Sequence, residues 1–286
     1  MYRYLSTAFI FLFLLTARTI QAQEQETKPL CPLFTAIEFE TGGSYLIDTY
    51  LSPWVYKGWN IALGAEWMRT MPLNNYRWIW QQQLRLCYGR SHLRISGNGM
   101  TEFGDLRYNF GMMRFIDTSL KGLRLYYGGN FTLTAGALYN YHGGNNPVSV
   151  KADLSIGLTG MAVYTFNIGH LPVTARYQAS LPVIGVFAQP EYSESYYEIG
   201  LGNHKHFIHA GTWANKFDMV NRATVDLHFG SWALRVGYHN LINTTYTAGN
   251  RYQIVTHNFI LGFSGDLLRW SPDNQRRPVK RALYTY

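Results

Sequence analysis

Beyond its first two dozen residues the chain has no uninterrupted run of about 18 apolar residues, which excludes a helical membrane span in that part. Cysteine is nearly absent: Cys31 and Cys87 are the two thiols, so pairing is allowed in an exported chain but not implied. No phosphate-binding loop or dinucleotide motif is present. The basic residues form no stripe interleaved with aromatics, which argues against nucleic acid as a partner. None of the nine histidines has serine two positions on, so the His-x-Ser pair of outer-membrane lipases is missing. Charged residues are scarce at 15 %, whereas aromatics reach 16 % and turn-like stretches recur along the whole length. That composition points to many strands in one domain.

The N-terminus, "MYRYLSTAFIFLFLLTARTIQAQE", has a basic residue at Arg3, an apolar stretch from Leu5 to Leu15 and a small residue at Ala22. It reads as a secretory signal over 1–22, cleaved after Ala22, with no cysteine after the cut to carry a lipid anchor. Loss of Arg3 and Arg18 with it lowers the formal charge from +8 to +6. Much of the remaining excess lies in "RRPVKR", 276–281, within a basic tail over 264–286 that reads as a solvated terminus.

Between these ends the polarity alternates. In 57–70 Trp59, Ile61, Leu63, Ala65 and Trp67 oppose Asn60, Ala62, Gly64 and Glu66. In 151–167 Ala152, Leu154, Ile156 and Leu158 oppose Lys151, Asp153, Ser155 and Thr159. Segments 57–70, 76–89, 102–116, 121–139 and 151–167 exceed the five or six residues of a common soluble strand. Apolar residues on one face, polar ones on the other and aromatics at the ends are the signature of an outer-membrane barrel. The expected fold is therefore all-β: a closed antiparallel transmembrane barrel of about 12 strands over 43–263, preceded by a periplasmic segment over 23–42.

Connections sort into short turns (71–75, 117–120, 168–169, 203–204, 230–231) and longer loops (51–56, 90–101, 140–150, 185–194, 215–221, 241–250). This sorting gives twelve strands if 43–50 and 195–202 are both strands, with both termini periplasmic; weak patterning of the first strand leaves ten as the alternative. Pro182 inside a spanning segment demands a bulge or an early strand end.

The stretches "GGSYLIDTYLSPWVYKGWN" (42–60), "NNPVSVKADLSIGLTGMAVY" (145–164), "LPVIGVFAQPEYSESYYEIGLGN" (181–203) and "ATVDLHFGSWALRVGY" (223–238) resemble the domain of unknown function family 3316. The resemblance implies an exported barrel of Gram-negative bacteria and an outer-membrane location. It brings no activity, substrate or catalytic residue.

The segment 223–240 reads as a hairpin about Gly230-Ser231, with Leu227 opposite Leu234 on the lipid face and Asp226 opposite Arg235 in the lumen. The same rule about Asn203-His204 sets Glu198 opposite His209. Glu198, His209, Asp226 and Arg235, with His228 and Arg176 nearby, form a candidate lumen charge network. Glu66, Arg85, Asp105, Arg107 and Arg124 also point inward. A carboxylate beside an imidazole can be half of a hydrolytic site, yet inward polar groups in a narrow barrel need partners in any case. "HKHFIH" (204–209) places His204 and His206 on one face but His209 on the other, so no metal is assigned. No cofactor is expected.

The first reading is a non-enzymatic outer-membrane barrel for envelope structure or narrow solute passage, in contact with outer-membrane lipid and lipopolysaccharide, with its oligomeric state left open. The alternative is a barrel enzyme acting on lipid or lipopolysaccharide through His209 or His228, which requires a nucleophile beside either ring. The third is a soluble exported glycan-binding β protein, with shorter strands and its aromatic face turned inward.

Overall fold

The computed structural model describes residues 31–96, 98–143, 147–191, 201 and 207–266. Its strands are β1 (Phe34–Asp48), β2 (Ser52–Met71), β3 (Trp78–Leu93), β4 (Met100–Ile116), β5 (Leu123–Asn140), β6 (Val148–Ile168), β7 (Leu171–Ala188), β8 (Ile208–Thr212), β9 (Lys216–Phe229), β10 (Trp232–Thr247) and β11 (Asn250–Asp266). Among the described residues no helix is long and apolar enough to cross a membrane, a statement that does not bear on strands.

Neighbours from β1 to β7 pair antiparallel in chain order, as do β9, β10 and β11. Two further ladders close the ring: β1 with β11, and β7 with β9. The result is a closed ten-stranded antiparallel barrel plus the short strand β8. Closure leaves the ring without an edge on which another chain could template.

The strand count corrects the expectation of twelve. Val173 to Ser180 of β7 pair directly with Leu227 to Val220 of β9, which leaves no gap for two more spanning strands. The expected strand at 195–202 and turn at 203–204 lie outside the described residues, apart from Leu201. β8 has five residues and pairs only with Ile184–Ala188, after β7 has parted from β9.

Pro182 sits at that parting, where the β6–β7 register shifts between Ile156 and Gly157 to make the expected bulge. Its carbonyl accepts a hydrogen bond from Trp213 Nε1 at 2.6 Å. The carbonyl of a strand residue and its N–H position face the same side, so the missing donor falls where β7 is changing partners.

Other boundaries move, among them the end of the barrel: β11 runs to Asp266, past the expected 263, because the ladder with β1 continues to Phe34. The first strand starts at Phe34, inside the stretch expected to precede the barrel, because "FTAIEFE" already alternates. The expected loops at 51–56, 215–221 and 241–250 are mostly strand; β10 and β11 meet at a two-residue turn, Ala248-Gly249, both with positive φ.

Inside and outside follow parity as read. Asn60 and Glu66 are buried, whereas Trp59, Ile61 and Leu63 are exposed. The soluble alternative needed short strands and inward aromatics; the ring strands run from 14 to 21 residues, and Trp59, Tyr88, Tyr127, Tyr139 and Trp232 face outward.

The lumen is layered. At the end where β1 begins, Phe34, Met68, Ile79, Met113, Tyr126 and Met161 pack into one apolar cluster. At the opposite end Leu46, Tyr56, Cys87, Phe103, Leu138, Tyr252 and Ile254 form another. Gly89 is required there, since a Cβ at that position would lie 2.3 Å from the Phe103 ring.

Candidate functional site

Alternation along β1 carries the chain from one layer to the next: Phe34 and Ala36 belong to the apolar end, and the next inward positions are Glu38 and Glu40. Glu66 on β2, Arg176 on β7, Arg222 and Asp226 on β9 and Arg235 on β10 point into the same space. Arg235, fully buried, binds Asp226 through two contacts of 2.6 Å, Glu38 at 2.8 Å and Glu66 at 2.7 Å. Arg176 grips Glu66 with contacts of 2.8 and 2.6 Å, and Arg222 pairs with Glu38. Three carboxylates thus meet three guanidiniums.

Neutral amides complete the shell. Gln81 Nε2 donates to Glu66 Oε1 at 2.5 Å and to Gln178 Oε1 at 3.0 Å. A fork-shaped guanidinium suits this role because its donors reach several carboxylates at once.

Farther along the axis Glu40 is held by Arg85 at 2.9 Å, by His239 Nδ1 at 2.9 Å and by Asn258 at 3.2 Å. Beyond it come Arg107 with Asp218 (3.1 Å), Lys216 with Asp153 (2.9 Å) and Lys151 with Asp48 (3.1 Å). Among the described residues the cavities between the layers include one of about 50 Å³ beside Glu40, Arg85 and His239 and one of about 30 Å³ beside Asp153, Phe187 and Tyr252. Each has room for only a few waters, given the ~10–15 Å³ that one water centre needs.

Three of the six candidates for the lumen network belong to it, Asp226, Arg235 and Arg176, and so does Glu66, read from sequence as inward. Asp226 and Arg235 stand opposite each other in the ladder, as do Leu227 and Leu234. His228 lies one position along the same wall, its Nε2 2.9 Å from the Thr174 hydroxyl.

His209 is a correction. It was expected beside Asp226 and Arg235, but it sits on β8 at the other end of β7, in tilted contact with the Phe187 ring, with Nε2 2.9 Å from the Gln189 carbonyl and Nδ1 3.2 Å from the Thr247 hydroxyl. Glu198 lies outside the described residues. Among the described residues the carboxylate–imidazole pair is Glu40–His239.

Glu38, Glu40, Arg222 and His239 were missed. The first two lay before the assumed strand start; Arg222 and His239 have the parity of Asp226 and Arg235 and could have been read from it. Among the described residues no group of three or more metal-ligating side chains could hold an ion. No disulfide joins Cys31 and Cys87. Part of "HKHFIH", 204–206, lies outside the described residues.

A closed antiparallel barrel with apolar residues outside and paired ions inside is similar to outer-membrane barrels. The family model for proteins of unknown function DUF3316 matches residues 7–274, and the chain belongs to that family. No curated protein matches the chain. Among solved structures it is similar to the transport unit of the autotransporter AIDA-I from Escherichia coli, at 8 % identity and a TM-score of 0.47, over 90 % of this chain and 95 % of that one. The translocator domain of autotransporter NalP from Neisseria meningitidis matches at 8 % identity and 0.39, over 82 % and 88 %. A FadL homologue from Pseudomonas aeruginosa matches at 9 % and 0.28, over 82 % and 90 %.

Proposed function

We propose that this chain is a non-enzymatic outer-membrane barrel with a closed lumen, serving envelope structure in contact with outer-membrane lipid and lipopolysaccharide. The segment 1–22 is its export signal. One observation supports this above the rest: paired ions between two apolar clusters occupy the interior and leave cavities of about 50 and 30 Å³. Narrow solute passage would require both clusters to move aside.

The enzyme reading draws on one observation of its own, a threonine hydroxyl beside each candidate ring. Thr174 is buried in the wall of the lumen, out of reach of a lipid substrate. His209 presents Nε2 to a backbone carbonyl, which orients the ring but supplies no negative charge to stabilise an imidazolium.

A deletion strain tests the proposal. Loss of the protein is expected to raise sensitivity to bulky dyes and detergents, with the barrier restored equally by wild type, His209→Gln and Thr247→Ala. Failure of His209→Gln and Thr247→Ala to restore it, with normal assembly, would establish the catalytic reading instead.

A further inference from the structure

On the outer face of β7, β9, β10 and β11, polar side chains break the apolar surface. Asn221, Asn240 and His257 share one cross-strand row, continuous through Gly43 with the exposed Trp59. Asn240 is eight positions along β10 from Trp232 at the turn, about 20 Å along the axis for a strand rising ~3.3 Å per residue at a tilt near 40°. An apolar band of roughly 25 Å, starting at the aromatic girdle, then includes this row.

The cluster is wired internally. Tyr177 OH donates to Asn221 Oδ1 at 3.0 Å, and Asn221 Nδ2 to Asn240 Oδ1 at 3.3 Å. Asn240 Nδ2 donates to the Thr256 carbonyl at 3.0 Å and lies 3.3 Å from His257 Nδ1, which also meets Tyr238 OH at 2.5 Å. With donors converging on Nδ1, the ring proton is on Nε2. That N–H faces the hydrocarbon, and no described residue meets it; such a donor is costly in lipid and marks a functional contact.

Beside it runs an apolar groove of about 530 Å³. Ala223 and Val225 form its floor, and Tyr177 and Tyr238, flanking Ala223 in the same row, form its walls. Past the cluster, toward the end where β10 and β11 join, Arg251 on β11 and Lys57 on β2 are exposed on the outer face.

We propose that this groove holds an acyl chain of lipopolysaccharide, with an acyl carbonyl accepting from His257 Nε2–H and the lipid phosphates near Arg251 and Lys57. An acyl ester or amide oxygen is an acceptor that the donor lacks, the floor is hydrocarbon, and the two cations complement an anionic headgroup. The site rests on the outer-membrane reading and names the lipid for it.

Native mass spectrometry of barrels purified from outer membranes in mild detergent, with the expression host's lipopolysaccharide as the probe, tests the site. Wild type should retain one lipopolysaccharide per barrel, whereas Ala223→Leu and His257→Phe should reduce retention at least tenfold while keeping heat-modifiable gel mobility. His257→Phe alone suffices if Ala223→Leu fails to assemble, because it places an apolar ring on an outward position. Equal retention in all three proteins, retention of phospholipid instead, or a dimer broken by Ala223→Leu would overturn the proposal. An outer-membrane barrel without bound lipopolysaccharide would defeat the site only; wild type absent from the outer-membrane fraction would defeat both readings.

Discussion

The middle of the lumen and its two ends fill the same cylinder with opposite chemistry. In the middle, Arg235 touches Asp226, Glu38 and Glu66, and each acid has at least one arginine. At the ends, Met68 and Met113 on one side and Leu46 and Ile254 on the other are held by contact with other apolar groups. Burial of the ions raises both the strength of their pairing and the penalty for leaving one unpaired. Shape decides at the ends, whereas charge count decides in the middle.

The largest effect expected is in the middle. Arg235→Ala leaves three carboxylates short of their shared cation and should destabilise the barrel by about 3–5 kcal/mol, the usual range for breaking a buried pair. Asp226→Asn with Arg235→Gln removes one charge of each sign and should cost less than Arg235→Ala alone, a difference measurable by thermal unfolding in detergent. If the joint replacement is the worse of the two, the belt is held by shape, as the ends are.

At the apolar end the ordering should follow volume. Met113→Ala, at a fully buried site, should cost roughly 2–5 kcal/mol through the cavity it leaves, whereas Met113→Leu should cost less than ~1.5. Equal melting temperatures for the two variants would show that the end is not packed.

Outside, depth replaces packing. Leu63, 60 % exposed on β2, lies within the apolar band, and Leu63→Arg should cost about 2–4 kcal/mol in assembly yield and unfolding. Val55→Arg, on the same face nearer the strand's start, should cost at most about 1. Thr224 would be a poor control despite sharing a strand with Leu227, since it is buried opposite Arg176 and an arginine there would crowd the belt with like charge.

The smallest effect concerns the thiols. Cys87 is buried in the apolar layer and hydrogen-bonded to Asn60 Oδ1 at 3.8 Å, so alkylation without denaturant should label Cys31 and leave Cys87 unmodified. A disulfide in purified protein would contradict the placement of the two at different heights of the barrel.

What the residues disclosed in advance follows the same division. Period-two alternation located β2 to β6 within a few residues and set the faces, because a closed barrel applies one rule to every strand. The Asp226–Arg235 pair followed from a hairpin with an unambiguous two-residue turn, Gly230 having a φ of 71°. Legibility failed at the β7–β9 ladder. Pairing across the residues between those strands depends on which neighbour closes the ring, and no local pattern encodes a partner that distant. It failed again at Glu38 and Glu40, where a start set too late hid one acid of the belt and the acid next to it along β1.

Single-channel recording of wild-type barrel in planar bilayers bears most directly on the closed interior. No stable conductance step should appear at moderate voltage, and Phe34→Ala with Met113→Ala should introduce steps by thinning one apolar end. A persistent open level in wild type would contradict a lumen closed by paired ions between apolar ends.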